Sequence, residues 1–254
     1  MSLFVREAGP TDAPTIVFLH GGGLSSAMWQ PQLDRLHEYH CLAPDLPEQG
    51  DSANIEPFTF ADASRRVADV IRQRVPNGQA HVVGLSIGGA VALRLLLDAP
   101  EVVDHVMISG TATRINSGLA VLMRVNEPLM RFLSPDQQTH LMMRQFHIPN
   151  VYRDLVLEGV RACKPEANTH FSRELTKIEL PHKVQAPVLI VVGQKETIVA
   201  KHDAHQLCKE IEGASGVMVP GVGHACNLEA PDLFTRTVCA WITNASLPQE
   251  LVAL

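Results

Sequence analysis

Residues 80–89 read Ala80-His81-Val82-Val83-Gly84-Leu85-Ser86-Ile87-Gly88-Gly89. The stretch to Leu85 is a short, mainly apolar run, the pattern of a strand covered on both faces. From Gly88 to Leu97 the chain is rich in Ala and Leu and predicts a helix. Gly84-Leu85-Ser86-Ile87-Gly88 sits at the junction, a G-x-S-x-G sequence on a strand-to-helix turn. A serine on so sharp a turn needs small neighbours two residues away, and Gly84 and Gly88 supply them. The N–H of Ile87 then points from a helix N-terminus toward the oxygen of a carbonyl under attack. The five-residue pattern also occurs as an ordinary Gly-rich turn with an idle serine. The strand before it and the helix after it make Ser86 a candidate nucleophile.

Similar runs flank this one. Thr15–Leu19, His40–Ala43, His105–Ile108, Val188–Val192 and Gly216–Val219 read as strands, with Leu3–Arg6 as an edge strand. Met28–Leu36, Ala61–Arg74, Ala200–Glu210 and Pro231–Thr243 read as helices between or after them. Alternating strand and helix predicts an open, mostly parallel α/β sheet with helices on both faces. One region breaks the alternation. Residues 111–183 carry helical signals punctuated by Pro128, Pro135, Pro149, Pro165 and Pro181, so a helical insertion is expected between two halves of a core, 1–110 and 184–254. Ligands of open α/β sheets bind at the C-terminal strand edge, where such an insertion would form a lid.

A serine that performs acyl transfer needs a second oxyanion donor, a base and an acid. His20-Gly21-Gly22-Gly23 follows the Thr15–Leu19 strand, and the N–H of Gly22 is assigned as the second donor. His20 itself is read as a structural histidine that pins the loop. His224, in Gly221-Val222-Gly223-His224, follows a late strand in a Gly-flanked loop and is the candidate base. His202 and His205 are expected on an exposed helix face. Glu196 stands at the end of the Val188–Val192 strand and is the candidate acid, with Asp203 in reserve one turn into the next helix. The order Ser86, Glu196, His224 is the order nucleophile, acid, base.

The composition narrows the classes of function. With 46% hydrophobic and 19% charged residues, the 254-residue chain can bury a large core and is not a disordered polymer. Its 21 basic residues against 27 acidic ones leave no excess to neutralise phosphates, so no nucleic-acid partner is expected. The longest apolar runs fall far short of the ~20 residues of a membrane helix, and Met1–Pro10 has no signal-peptide pattern. Cys41, Cys163, Cys208, Cys226 and Cys239 form no C-x-x-C pair. Reduced thiols and a cytoplasmic location are therefore expected. No H-E-x-x-H is present and no G-x-G-x-x-G follows a strand, so neither a metal nor a dinucleotide cofactor is expected.

With these motifs in place the chain resembles the α/β-hydrolase superfamily, in the branch of small capped serine esterases, C–C hydrolases and cofactor-free haloperoxidases. The resemblance rests on the His20-Gly21 loop with Trp29 after it, the Gly84–Gly89 elbow, Gly193-x-x-Glu196 and Gly223-His224. It implies an α/β-hydrolase fold, a cap at residues 111–183 and a Ser86–Glu196–His224 triad with Gly22 and Ile87 as oxyanion donors. Two departures stand out. The family usually has aspartate where Glu196 stands. Its Gly-His-Gly-x-Ser loop is replaced here by Pro47-Glu48-Gln49-Gly50-Asp51-Ser52.

The expected substrate is a small to medium, uncharged ester or lactone. Met123, Met130, Met142, Met143, Phe132 and Phe146 in the insertion are read as wall or packing residues for an apolar pocket. C–C bond hydrolysis or perhydrolase/haloperoxidase chemistry on the same residues is the alternative enzyme reading. C–C hydrolases generally need polar groups to hold a carboxylate or enol. Arg114, Arg124, Arg131, Arg144, Arg153, Arg161 and Arg173 of the insertion are the candidates to point inward, though most are expected to be solvated. A ligand receptor with a slow site is the alternative of another class. Oligomeric state is not legible.

Overall fold

The computed structural model describes residues 1–113, 132–164 and 166–254. Eight strands form one sheet: β1 (Val5–Ala8), β2 (Thr15–Leu19), β3 (His40–Pro44), β4 (Ala80–Leu85), β5 (Val103–Ser109), β6 (Val188–Gly193), β7 (Ser215–Val219) and β8 (Val252–Ala253). Their spatial order is β1-β3-β2-β4-β5-β6-β7-β8. The six inner strands run parallel, and β1 and β8 close the two edges antiparallel.

The unbroken apolar runs have a direct cause. Successive side chains of a strand point to opposite faces, and both faces of this sheet are covered. Along β2, Val17 and Leu19 enter one core layer while Ile16 and Phe18 enter the other. Along β6, Val188, Ile190 and Val192 face the first layer, and Leu189 and Val191 the second. Each such burial is worth about 1.5–3 kcal/mol, which sets the register strongly.

The helices follow from capping and spacing. In α2 (Phe60–Arg74) the Thr59 side chain accepts the Asp62 N–H, and Ala63, Val67, Ala68 and Ile71 form the buried stripe. Helix α3 (Ile87–Asp98) is buried almost all round; Arg94 reaches out to Asp98 and Glu179. The helix expected over Met28–Leu36 divides instead into a 3-10 turn (Ser26–Trp29) and a short α1 (Gln30–Leu33). Pro31 is the reason: it lacks an N–H and is tolerated only in a first helical turn. The edge strand starts at Val5 rather than Leu3, because Phe4 donates its N–H to Ser52 Oγ and Leu3 is buried. The two-residue β8 gave no sequence signal, since both its residues are exposed.

Between β5 and β6 the described residues form helices: α4 (Pro135–Gln145), α5 (Arg153–Ala162) and α6 (Ala167–Glu174). A capping box opens α4, with Ser134 and Gln137 exchanging side-chain and backbone hydrogen bonds. Helix α7 (Ile198–Glu210) follows β6, and α8 (Cys226–Glu229) and α9 (Pro231–Ile242) follow β7. No described helix is long and apolar enough to cross a membrane. The five cysteines are unpaired.

Candidate active site

Five loops meet at the C-terminal edge of neighbouring parallel strands: those after β2, β4, β5, β6 and β7. Strand order alone brings them side by side. On the central one, Ser86 has φ 56° and ψ −116°, a conformation that costs a side-chain-bearing residue about 1–3 kcal/mol. The turn is overdetermined by its neighbours. Ser86 donates its N–H to Ser109 O at 2.8 Å, and Thr111 Oγ1 donates to Ser86 O at 3.0 Å. A Cβ on Gly84 would stand 2.5 Å from Gly88 O, and one on Gly88 would stand 2.2 Å from Leu19 O. The two glycines of the motif are therefore demanded by close backbone approach.

The glycine loop after β2 is held on either side of Gly22. Gly21 donates to Met28 Sδ at 3.4 Å and Gly23 to Gln49 Oε1 at 2.7 Å. The Gly22 N–H between them takes no acceptor among the described residues. Ile87 opens α3, so its N–H has no partner within the helix. The two loops touch: a Cβ on Gly22 would lie 2.6 Å from Ile87 Cδ1. His20 is fully buried and spends both ring nitrogens on the backbone. Nδ1–H donates to Gly21 O at 2.9 Å, and Nε2 accepts the Leu46 N–H at 2.9 Å. Burial pushes its pKa below the ordinary histidine value, against the pull of Asp45. A ring so committed pins the loop and has no nitrogen left to act as a base.

Glu196 and His224 meet at 2.5 Å, Oε1 to Nδ1, with side chains 7% and 17% exposed. A carboxylate only accepts, so Nδ1 carries the proton and Nε2 keeps its lone pair. The second Glu196 oxygen accepts the Thr197 N–H at 3.2 Å. The His224 loop is also tied down. Gly223 donates to both oxygens of Glu229 at 2.9 and 3.0 Å, and Cys226 Sγ donates to Gly223 O at 3.2 Å. Burial pushes the Glu229 carboxyl up from its ordinary value, against the Gly223 N–H and the charge of His147. The Phe146 ring covers the imidazole at a centroid distance of 4.7 Å. Gly110 faces the pair: a Cβ there would lie 3.1 Å from His224 Nδ1 and 3.2 Å from Glu196 Oε1. Asp203 stands elsewhere, buried in α7 and accepting the Thr113 N–H at 3.1 Å. His202 and His205 are on the exposed face of that helix.

Ser86, His224, Gly22 and Ile87 line one cavity of about 1260 Å³. Ser86 and His224 are not hydrogen-bonded to each other; such contacts are often loose before substrate binds. The opposite wall comes from the helices between β5 and β6 and includes Leu141, Met142, Phe146, Val160 and Phe171. Of the apolar residues singled out in the sequence, Met142 and Phe146 are on this wall, Met143 packs in the core, and Phe132 is exposed. Met123 and Met130 lie outside the described residues, as do Arg114, Arg124 and Arg131. Arg144 and Arg161 line the cavity, Arg153 pairs with Asp136, and Arg173 is exposed.

Sequence reasoning missed four supporting residues: Gln49, Glu48, Gly110 and Glu229. The departing loop after β3 explains two of them. Gln49 anchors Gly23, while Glu48, fully buried at φ 65°, accepts from His170 Nδ1 at 2.8 Å and so ties α6 to the core. No local pattern marks them, because their partners are 26 and 122 residues away in the chain.

A carboxylesterase of Bacillus subtilis, YbfK, is 28% identical over 94% of this chain and 83% of its own. An AB hydrolase superfamily protein of Gibberella zeae is 28% identical over 97% of this chain and 86% of its own. Among solved structures, the enol-lactonase of Burkholderia xenovorans LB400 superposes with TM-score 0.78 at 22% identity, over 95% of this chain and 96% of the other. The model of the alpha/beta hydrolase family matches residues 16–237, which takes in the glycine loop, the elbow, Glu196 and His224, and the chain belongs to that family.

Proposed function

We propose that the protein is a serine hydrolase that cleaves a small to medium, mainly apolar carboxylic ester or lactone through an acyl-enzyme on Ser86. The observation that carries this reading is the Glu196–His224 pair at 2.5 Å, whose histidine lines one cavity with a serine held in a strained turn. The similarity to the Bacillus subtilis carboxylesterase supports ester hydrolysis. In this reading, His224 Nε2 takes the proton from Ser86 Oγ as the oxygen attacks the ester carbonyl. The N–H groups of Gly22 and Ile87 receive the oxyanion. His224 then gives the proton to the leaving alcohol, and afterwards takes one from the water that releases the acid. Glu196 holds the imidazole in the tautomer with Nε2 free and stabilises its charge. The helices between β5 and β6 act as a cap that shapes the acyl pocket and excludes water. No cofactor takes part, and the partner is a small-molecule ester.

The test is a burst assay with p-nitrophenyl acetate, butyrate and octanoate on wild type and Ser86→Ala. The expected result is a burst in wild type and a loss of about 10⁴-fold or more in kcat in the variant. Turnover near wild type in Ser86→Ala overturns the reading. A second reading, C–C bond or peracid chemistry on the same residues, is favoured by one observation. Arg144 lines the cavity, and a guanidinium there would complement an anionic group. A ring-cleavage diketone assayed beside the esters separates the two. A receptor with a slow site would resist rapid labelling by a fluorophosphonate.

A further inference from the structure

The end of the sheet opposite Ser86 carries a second cluster of chemically capable side chains. His81 is the second residue of β4, and Asp104 and His105 are the second and third of β5. These strands are parallel neighbours, but their pairing slips by one residue at this point. Ala80 faces Val103, whereas Val82 faces Val106. One residue of β4, His81, therefore stands against two of β5, Asp104 and His105. Such a bulge interrupts the ladder and re-aims side chains. The His81 and His105 rings pack edge to face at 5.2 Å, with the Asp104 carboxylate beside both. Its Oδ1 accepts from His105 Nδ1 at 2.9 Å, while Oδ2 lies 3.7 Å from His81 Nδ1.

That last distance is too long for a hydrogen bond. His81 is only 8% exposed, and its Nδ1 is buried without a hydrogen-bond partner. A buried ring nitrogen left unpaired beside a carboxylate calls for an explanation. An ion pair within the cluster would satisfy His105 and leave His81 as it is. We propose that His81, Asp104 and His105 form a site for a divalent cation of the zinc class, separate from the hydrolase site.

The donor chemistry fits. Two imidazole nitrogens and one carboxylate oxygen are a common three-ligand set for zinc, with water as the fourth ligand. Donors about 2.0–2.1 Å from a tetrahedral ion stand roughly 3.3 Å from one another. The three donor atoms here lie within 4.8 Å of one another, so closing the set takes up to about 1.5 Å of relative side-chain movement. Asp104, whose side chain is about half exposed, has the freedom to supply it. A histidine that binds metal through one nitrogen is usually held through the other. Asn244 Oδ1 is placed to do this, accepting from His105 Nε2–H at 3.3 Å. His81 and Ser86 are five residues apart on β4, about 16 Å at ~3.3 Å per residue, so the ion would join β4 to β5 without touching the hydrolase residues.

The test is zinc titration of the full chain by calorimetry, with cobalt(II) as a spectroscopic probe, on wild type, Asp104→Asn and His81→Gln. Asp104→Asn is the control for folding, since it is isosteric at a half-exposed position. We expect one equivalent bound at micromolar or tighter affinity, tetrahedral cobalt bands in the visible, and a rise in Tm with zinc. In both variants the affinity falls at least about 10-fold and the cobalt bands are lost. The exposed His202→Gln leaves all three readouts unchanged. Wild-type binding that Asp104→Asn does not weaken, or the absence of stoichiometric binding in wild type, overturns the proposal.

Discussion

Around Ser86 the loops of the sheet are held by hydrogen bonds at nearly every step: Ser86 N–H on Ser109 O, Gly23 N–H on Gln49, Gly223 N–H on Glu229 and His224 on Glu196. The helices between β5 and β6 face the same cavity with Met142, Phe146 and Phe171, which pack against the apolar core. The difference is one of physics. Hydrogen bonds are directional and place an atom to a few tenths of an ångström. Apolar contact is non-directional and fixes volume and shape. The core should therefore control the chemical step, and the helical wall the choice of substrate. Substitutions in the two regions should separate into effects on kcat and effects on KM.

Glu196→Gln should give the largest effect in this comparison. The side chain keeps its size, but it no longer offers an acceptor-only group to His224 Nδ1–H. The imidazole can then take the other tautomer and loses the charge that stabilises its protonated form. We expect kcat for p-nitrophenyl butyrate to fall about 10³-fold or more, with KM and Tm close to wild type. A loss below tenfold would break the assignment of Glu196 as the acid. Asp203 could not replace it, since that carboxylate is buried against Thr113.

Gln49→Leu sharpens the same contrast with a smaller effect. The variant leaves the buried Gly23 N–H without an acceptor, at a cost of about 1–3 kcal/mol. Part of that cost should appear as displacement of the adjacent Gly22 N–H, which belongs to the oxyanion step in the proposed mechanism. The expected outcome is a kcat lowered about tenfold with little change in KM across the ester series. A rise in KM with kcat unchanged would mean that the loop after β3 serves binding rather than chemistry.

The contrast also explains what was legible in the sequence. Ser86, Gly22 and His224 stood out because their neighbours are glycines that the backbone requires, and glycine beside a reactive residue is visible in one dimension. Glu196 was found from its place at the end of a strand and from chain order. Gln49 and Glu229 were invisible, because what they do depends on a backbone N–H brought to them by the fold. Gly110 was equally invisible, because only the fold shows that a Cβ there would crowd His224 and Glu196. The inner strands were legible because two-sided burial leaves continuous apolar runs. The split of the first helix and the two-residue β8 were not, since a proline at a helix start and a pair of exposed edge residues leave no periodic trace.

Met142→Ala tests the wall, with the smallest effect of the three. Met142 lines the cavity, and its Cε would stand 2.9 Å from a Cβ on Gly23, so its tip lies over the glycine loop. Truncation lengthens the apolar space beside that loop without removing a hydrogen bond. A buried methylene is worth about 0.8 kcal/mol, or about fourfold in kcat/KM, for each carbon of the acyl chain that gains a place. We expect kcat/KM for the octanoate ester to rise about fourfold relative to the acetate, carried by KM, while kcat for the acetate stays within twofold. A fall in acetate kcat to the level of Gln49→Leu would show that Met142 supports the glycine loop mechanically. The division between a hydrogen-bonded core and an apolar wall would then fail at this residue.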